Sequence, residues 1–241
     1  MDPWIHAFKE EAPMEPRPRI AVLGGTGKEG SGLALRWARA GFPVAIGSRD
    51  PERARQAVER LRVHVPDAEL LGLSNADAAA WGEVVVVAVP YAGHADLLRS
   101  LRETLRGKLL IDVVVPLDPD NPRRYAPPPD GSATAEAQRI LGADTPVVGA
   151  FHNISHLHLH DLEDAPDCDV LVVGEDRAAK ARVIRLAEAI GFTAYDAGPL
   201  HNAPIVEGLT ALLIGLNIRY KTRGAGIRIT GIPRRSDPQA P

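Results

Sequence analysis

The chain has 241 residues, 45% of them hydrophobic, and a formal net charge of −3 from 28 Lys+Arg against 31 Asp+Glu. That balance gives no general case for nucleic acid or an anionic membrane surface, and the single cysteine, Cys168, excludes an intrachain disulfide and suits a cytoplasmic setting. No uninterrupted apolar run of about 18 residues occurs, so no membrane span is expected, and the length suits one α/β domain with a small addition.

Residues 1–18 mix Trp4, Ile5 and Phe8 with charges and prolines. They lack the apolar core of a signal peptide and read as an extension before the first strand. That strand, Ile20-Ala21-Val22-Leu23, runs straight into Gly25-Thr26-Gly27-Lys28-Glu29-Gly30, which fits G-x-G-x-x-G. Gly25 is expected to permit the tight turn, Gly27 to let the backbone approach a pyrophosphate, and Gly30 to pack a helix closely on the sheet. The helix follows over 31–40 and stops at Gly41; its free N–H groups and dipole attract an anion. A second strand over 43–46 ends at Gly47-Ser48-Arg49. An NAD site carries an acid there for the ribose hydroxyls. Here Arg49 offers a planar donor fork to a 2′-phosphate, Ser48 adds a hydroxyl, and Arg53 lies one helical turn further on to close the clamp. Asp50 reads as the N-cap of a helix over 51–62, with Pro51 at its first position. The nucleotide expected is therefore NADP.

Further strands are expected at 70–73, 84–89 and 109–115, with helices at 75–80 and 94–105 between them. The alternation predicts a Rossmann-type, doubly wound, mostly parallel α/β sheet. Such sheets bind ligands at the carboxyl ends of their strands, which brings in Val89-Pro90-Tyr91 and Val115-Pro116. Tyr91 either stacks on the bound nucleotide or is a half-buried turn aromatic. Arg123 to Gly131, with Pro127, Pro128 and Pro129, is predicted to be a loop. A helix over 133–141 and a strand within 146–151 return the chain to the sheet. A further β–α–β unit is expected over 169–174, 176–190 and 193–196, and 202–223 reads as a long helix apolar on one side. This organisation divides the chain into an extension (1–18), an NADP-binding domain (19–150) and a C-terminal part (151–241).

Four of the eight histidines fall between Phe151 and His160. Three readings stay open. As a metal site, His156, His158 and His160 would share one side of a strand, or His152 and His156 one helix face, but no Cys or carboxylate follows a familiar ligand pattern and no metal is assigned. As a substrate-contacting site, His152, with Asn153 beside it, directly follows a strand end. The third reading is polar loop residues and packing. Beyond them, Arg219, Lys221, Arg223, Arg228, Arg234 and Arg235 form a run with no acid among them.

Taken together, Val22-Leu23-Gly24-Gly25-Thr26-Gly27, Gly47-Ser48-Arg49, Val89-Pro90, Ala150-Phe151-His152, Asp196-Ala197-Gly198-Pro199-Leu200 and Val206-Glu207-Gly208-Leu209-Thr210 resemble the NADPH-dependent reductases of coenzyme F420, the deazaflavin. The resemblance covers nearly the whole chain after the extension. It implies a Rossmann-type domain with a small C-terminal part, a homodimer, and reversible hydride transfer between reduced deazaflavin and NADP. Carried over by position, the cofactor contacts fall on Thr26, Gly27, Lys28, Glu29, Ser48, Arg49, Arg53, Tyr91, Val115 and His156. Lys28 and Glu29 stand where archaeal members carry an amide and an apolar residue, Tyr91 where they have tryptophan, and His156 where they have a small residue. Contacts through backbone N–H groups survive such changes. The two cofactors carry the hydride while the protein orients them and excludes water, so no catalytic residue is assigned. The proton leaving the reduced deazaflavin goes to solvent or to His152. The basic run then reads as a solvated face, a dimer brace, or a site for the deazaflavin's anionic tail. Two alternatives keep the nucleotide: an NADPH-dependent reductase of flavin, ferric complexes or a small carbonyl, and a non-catalytic NADP-binding redox sensor.

Overall fold

Strands with period-two alternation of two apolar sets need cover on both faces. Ile20 and Val22 of β1 (Ile20–Leu23) point to one side, into a core with Leu33, Trp37, Val58 and Leu61, whereas Ala21 and Leu23 point to the other, against Ala78, Leu98 and Leu105. The computed structural model describes residues 17–163 and 165–232. The extension read at 1–18 therefore lies almost wholly outside the described residues, as do Asp164, Arg234 and Arg235.

In chain order the elements are β1, α1 (Lys28–Arg39), β2 (Val44–Ser48), α2 (Pro51–Arg62), β3 (Leu70–Ser74), α3 (Asn75–Trp81), β4 (Val84–Val87), α4 (His94–Leu105), β5 (Leu109–Asp112), β6 (Leu117–Asp118), β7 (Asn121–Tyr125), α5 (Ala133–Leu141) and β8 (Val147–Gly149). The C-terminal part adds α6 (His156–His160), β9 (Asp169–Val172), α7 (Arg177–Glu188), β10 (Thr193–Asp196) and α8 (Ala203–Arg219). Six strands form one parallel sheet in the order β3-β2-β1-β4-β5-β8. Helices α1 and α2 cover one face, and α3, α4 and α5 the other. The order reverses between β1 and β4, which sets the ligand crevice at their carboxyl ends.

β9, α7 and β10 form the expected second unit, a parallel strand pair. It joins the main sheet through reciprocal 2.9 Å bonds between Gly149 and Val173. α7 lies on the α1 side, where Trp37 Nε1 donates to the Leu186 carbonyl at 3.0 Å. Both parts of the chain therefore share one apolar core, from Ile20 to Val183 and Phe192.

Three expectations are corrected. The segment 123–131 is not all loop: β6 and β7 make an antiparallel hairpin, and only 126–131 stays irregular. Pro122 sits in that two-strand ribbon, outside the main sheet, where its missing N–H costs little. The helix at 31–40 begins three residues earlier, at Lys28, because Gly27 takes the N-cap position. α8 is apolar all round rather than on one side: Val206, Ala211 and Leu213 are buried while Ile205, Leu212 and Ile218 are exposed.

Two buried carboxylates fasten helices to this frame. Glu207 of α8 is fully buried and accepts from Ala133 N and Thr134 N at 3.0 Å, Thr134 Oγ1 at 2.8 Å and Tyr125 Oη at 2.9 Å. It thereby satisfies the open donors at the start of α5. Asp112, at the end of β5, bonds His94 Nε2 at 2.8 Å, and its other oxygen accepts from Val114 N at 3.0 Å. Both side chains of that pair are fully buried. Burial alone would depress the His94 imidazolium, but Asp112 and then Glu136 beside it raise its pKa above the ordinary histidine value. A group whose folded pKa is raised contributes stability that is complete below its unfolded value, about 6.5, and is lost as pH rises through the folded value. His94→Gln is expected to lose more urea stability, relative to the parent protein, at pH 6 than at pH 9. An equal loss at both pH values would show that His94 does not bind its proton through Asp112.

Candidate functional site

The loop after β1 is set by what a methyl group would strike. Gly24 has φ +74°, and a Cβ there would lie 2.6 Å from the Ala88 carbonyl oxygen. The left-handed turn residue is thus Gly24, not Gly25 as expected. Gly25 is needed instead for close passage, since its Cβ would meet the Val22 carbonyl at 2.8 Å. Gly30 fulfils its expected role: a Cβ would come within 2.9 Å of Gly25 Cα and 3.2 Å of Ala88 Cβ. Gly27 differs, having only Gly24 O within reach at 3.4 Å, so its outer side is open. It gives α1 no side-chain cap. The first N–H groups of α1 thus face outward with neither capping side chain nor methyl in the way, and that cradle fits a pyrophosphate.

β2 pairs with β1 in register Leu23↔Gly47, which puts Ser48 just past the level of the loop. Ser48 is buried and its Oγ accepts from Asp50 N at 3.2 Å. Asp50 caps α2 as expected, accepting from Glu52 N at 2.9 Å. Arg49 and Arg53 are exposed on the rim, and no ion pair engages either among the described residues.

On the other side of β1, a cavity of about 700 Å³ opens over the ends of β4, β5 and β8. Lys28 and Glu29 border it from α1, Ala88 to Tyr91 follow β4, and Val113 to Val115 follow β5. Phe151 to Leu157 wall it after β8, and Thr210, Leu213, Ile214 and Asn217 face it from α8. The segment Thr222 to Ala225 completes the rim. Of the residues singled out from sequence, Lys28, Glu29, Tyr91, Val115, His152, Asn153 and His156 meet in this one cavity, whereas Gly25, Thr26, Gly27, Gly30, Ser48, Arg49 and Arg53 lie outside it.

Phe151 has φ +64°, a left-handed conformation uncommon for a bulky residue. Edge-on contacts hold its ring, with centroids 5.8 Å from Trp37 and 6.2 Å from Phe192. The twist delivers His152 and Asn153 to the cavity wall. His152 is buried, and neither ring nitrogen has a partner; its carbonyl accepts from Thr210 Oγ1 at 2.7 Å. Burial pushes its pKa down, so the imidazole is neutral. Asn153 Nδ2 donates to the Asp169 carbonyl at 2.8 Å while its Oδ1 is buried without a partner. Buried polar atoms left unpaired at a cavity wall suit a ligand that carries its own donors and acceptors.

The histidine cluster separates by role. His156 lines the cavity, and its pKa is lowered by burial and then by Lys28 and His160. His158 Nε2 donates to the Gly224 carbonyl at 2.7 Å, and His160 Nε2 donates to the Lys28 carbonyl at 2.9 Å. The last two are fastenings. The segment is a helix rather than a strand, and His152 lies before it, so neither arrangement considered for a metal site forms; among the described residues no three His, Cys, Asp or Glu side chains gather for a metal.

Tyr91 Oη donates to Glu136 at 3.3 Å, and its ring stands 6.1 Å from that of His94. Sequence reasoning missed Glu136, His94 and Asp112, although an acid closing the apolar run Leu109-Leu110-Ile111-Asp112 is a signal. It missed Asn217 too, whose Oδ1 accepts from Ala225 N at 3.0 Å and so folds the chain back over the cavity. In the basic run, Arg228 pairs with Asp167 at 2.7 Å and only Arg223 reaches the cavity rim among the described residues. No helix among these residues is long and apolar enough to cross a membrane.

A family model described as NADP oxidoreductase, coenzyme F420-dependent, matches residues 19–116. The F420-dependent NADP reductase of Methanocaldococcus jannaschii is 44% identical over 222 residues, covering 89% of this chain and 99% of its own length. That of Methanothermobacter marburgensis is likewise 44% identical, with the same coverage. A crystal structure of a protein from Arthrobacter sp. FB24, provisionally designated an F420-dependent NADP reductase, superposes with a TM-score of 0.76 at 30% identity, covering 88% of this chain and 98% of that one. With identity of this order along nearly its whole length, the chain belongs to the F420-dependent NADP reductase family.

Proposed function

We infer that this protein is an oxidoreductase that moves a hydride reversibly between coenzyme F420 and NADP. The observation that carries the reading is the cavity of about 700 Å³, which joins the open start of α1 to a second polar wall at His152, Asn153 and Thr210. Its size falls within the range of about 300–1,000 Å³ usual for small-molecule sites. Bound together, the two cofactors supply the hydride chemistry, which needs their reacting carbons about 3–3.5 Å apart.

The chain's own residues divide the remaining work. The N–H groups of Thr26, Lys28 and Glu29 hold the pyrophosphate, those of Gly25 and Gly27 being taken by the Val22, Gly47 and Gly24 carbonyls, and Ser48, Arg49 and Arg53 hold the 2′-phosphate. Lys28, Glu29, Tyr91, Val115 and His156 enclose the nicotinamide half. His152 and Asn153 face the deazaflavin co-substrate, and the neutral His152 imidazole exchanges the accompanying proton at a ring nitrogen. Residues 19–150 act as the nucleotide-binding domain, and 151–241 complete the deazaflavin pocket. The exposed Ile205, Leu212 and Ile218 of α8 support a homodimer through that helix. The balanced charge and lone buried Cys168 suit a cytoplasmic enzyme whose partners are small molecules rather than nucleic acid.

The optical test mixes the protein with NADPH and oxidised F420. The visible deazaflavin absorbance is expected to fall at a rate proportional to protein; turnover of FMN with none of F420 would instead make the protein a flavin reductase, and NADP binding without turnover of either a sensor. A charge-assisted hydrogen bond is worth roughly 1.5–3 kcal/mol. Arg49→Ala is therefore expected to raise the Michaelis constant for NADPH by about tenfold to a hundredfold and barely change that for NADH. An equal rise with both would remove Arg49 from the 2′-phosphate.

A further inference from the structure

Glu29 is the one acidic side chain lining the cavity among the described residues, and hydride transfer between two rings has no step that calls for it. We propose that Glu29 is the counter-charge of the oxidised nicotinamide ring: its carboxyl is neutral in the free protein and beside NADPH, and it ionises against the cationic ring of NADP+. The inference rests on the NADP assignment above.

The placement follows from the direction of the bound dinucleotide. With the pyrophosphate on the start of α1, the Ser48–Arg49 corner takes the adenosine half on the β2 side of β1. The nicotinamide half then runs the opposite way, over the ends of β4 and β5. The cavity lies there, and Glu29 lines it beside Ala88, Val89 and Val113. Glu29 Oε1 is buried and has no hydrogen-bond partner. With no donor from the protein at that oxygen, burial there disfavours the ionised form and favours the proton in the free protein. Burial accordingly pushes its pKa up to about 8. A cation brought against the same group favours its charged form and reverses the effect. The nicotinamide ring is cationic in NADP+ and neutral in NADPH, so only the oxidised nucleotide supplies that cation.

The balance is simple. Protonated Glu29 and NADP+ give ionised Glu29 paired with NADP+ and one proton released to solvent. The other charged or titratable groups facing the cavity are Lys28 on α1, Tyr91 after β4, His152 after β8, His156 on α6 and Arg223 on the C-terminal return. Both imidazoles are pushed below the ordinary histidine value and Tyr91 above the ordinary phenol value. None of those three changes charge where Glu29 does.

Dissociation constants for NADP+ and NADPH, each measured at pH 7 and pH 9 without F420, test the assignment. A carboxyl titrating near 8 is ~10% ionised at pH 7 and ~90% at pH 9, so NADP+ is expected to bind about ninefold more tightly at pH 9. NADPH is expected to show no such gain, and titration of the nucleotides' common phosphates cancels between them. In weakly buffered solution at pH 7, close to one proton should leave per NADP+ bound and none per NADPH. Glu29→Gln, and Glu29→Leu as a second variant against misfolding, should bind NADP+ equally at both pH values and release no proton. The same pH profile for both nucleotides, or a ninefold gain that persists in the variants, overturns the inference while leaving the cofactor assignment standing. Binding of neither nucleotide overturns both.

Discussion

The Arg36 guanidinium, buried on the flank of α1, fixes where the two parts of the site meet. It donates to the His158 carbonyl and Leu159 carbonyl at the end of α6, to the Asp161 carbonyl, and to the Ile190 carbonyl after α7 at 3.1 Å. Charge-assisted bonds to several carbonyls from one planar group are strong and directional. They satisfy the open end of α6, which at five residues has little stability of its own. Gly32 makes the approach possible, since a Cβ there would lie 2.6 Å from Leu159 Cβ. The helix whose start borders the cavity thus carries, about two turns later, the anchor for the opposite wall.

Around that anchor the polar groups sort by whether the fold completes them. Glu207, Asp112 and Arg36 are buried and fully engaged, and each joins elements that are distant in sequence. His152, Asn153 and Glu29 are buried or nearly so and leave atoms unpaired, all on one cavity. Because an unpaired buried polar atom is expensive, its persistence in three side chains around one space is a signature of function rather than of stability. The left-handed Phe151 belongs with them: Trp37 and Phe192 hold a strained backbone whose effect is to aim His152 inward.

The sequence revealed what is local. A strand, three spaced glycines and a helix start lie within ten residues of each other, and Asp50-Pro51 marks a cap wherever it occurs. What escaped it depends on distance. Whether Gly24 or Gly25 makes the turn is decided by Ala88, far along the chain. The β6–β7 hairpin has prolines and no clear alternation, and it is held by Tyr125 against Glu207, 82 residues on. Spacing of two in the histidine run fitted a strand as well as a short helix, and the choice fell to Arg36, 122 residues earlier. His94 and Asp112, separated by 18 residues, gave no pattern that periodicity detects.

The central claim is that one cavity brings two cofactor rings face to face, so that the hydride never meets water. NADPH carrying deuterium at both positions of the reacting nicotinamide carbon, turned over with oxidised F420 in ordinary water, tests this directly. The account predicts one deuterium per molecule on the reduced deazaflavin ring, detected by mass spectrometry. Reduced deazaflavin without label, with the deuterium lost to solvent, would contradict it.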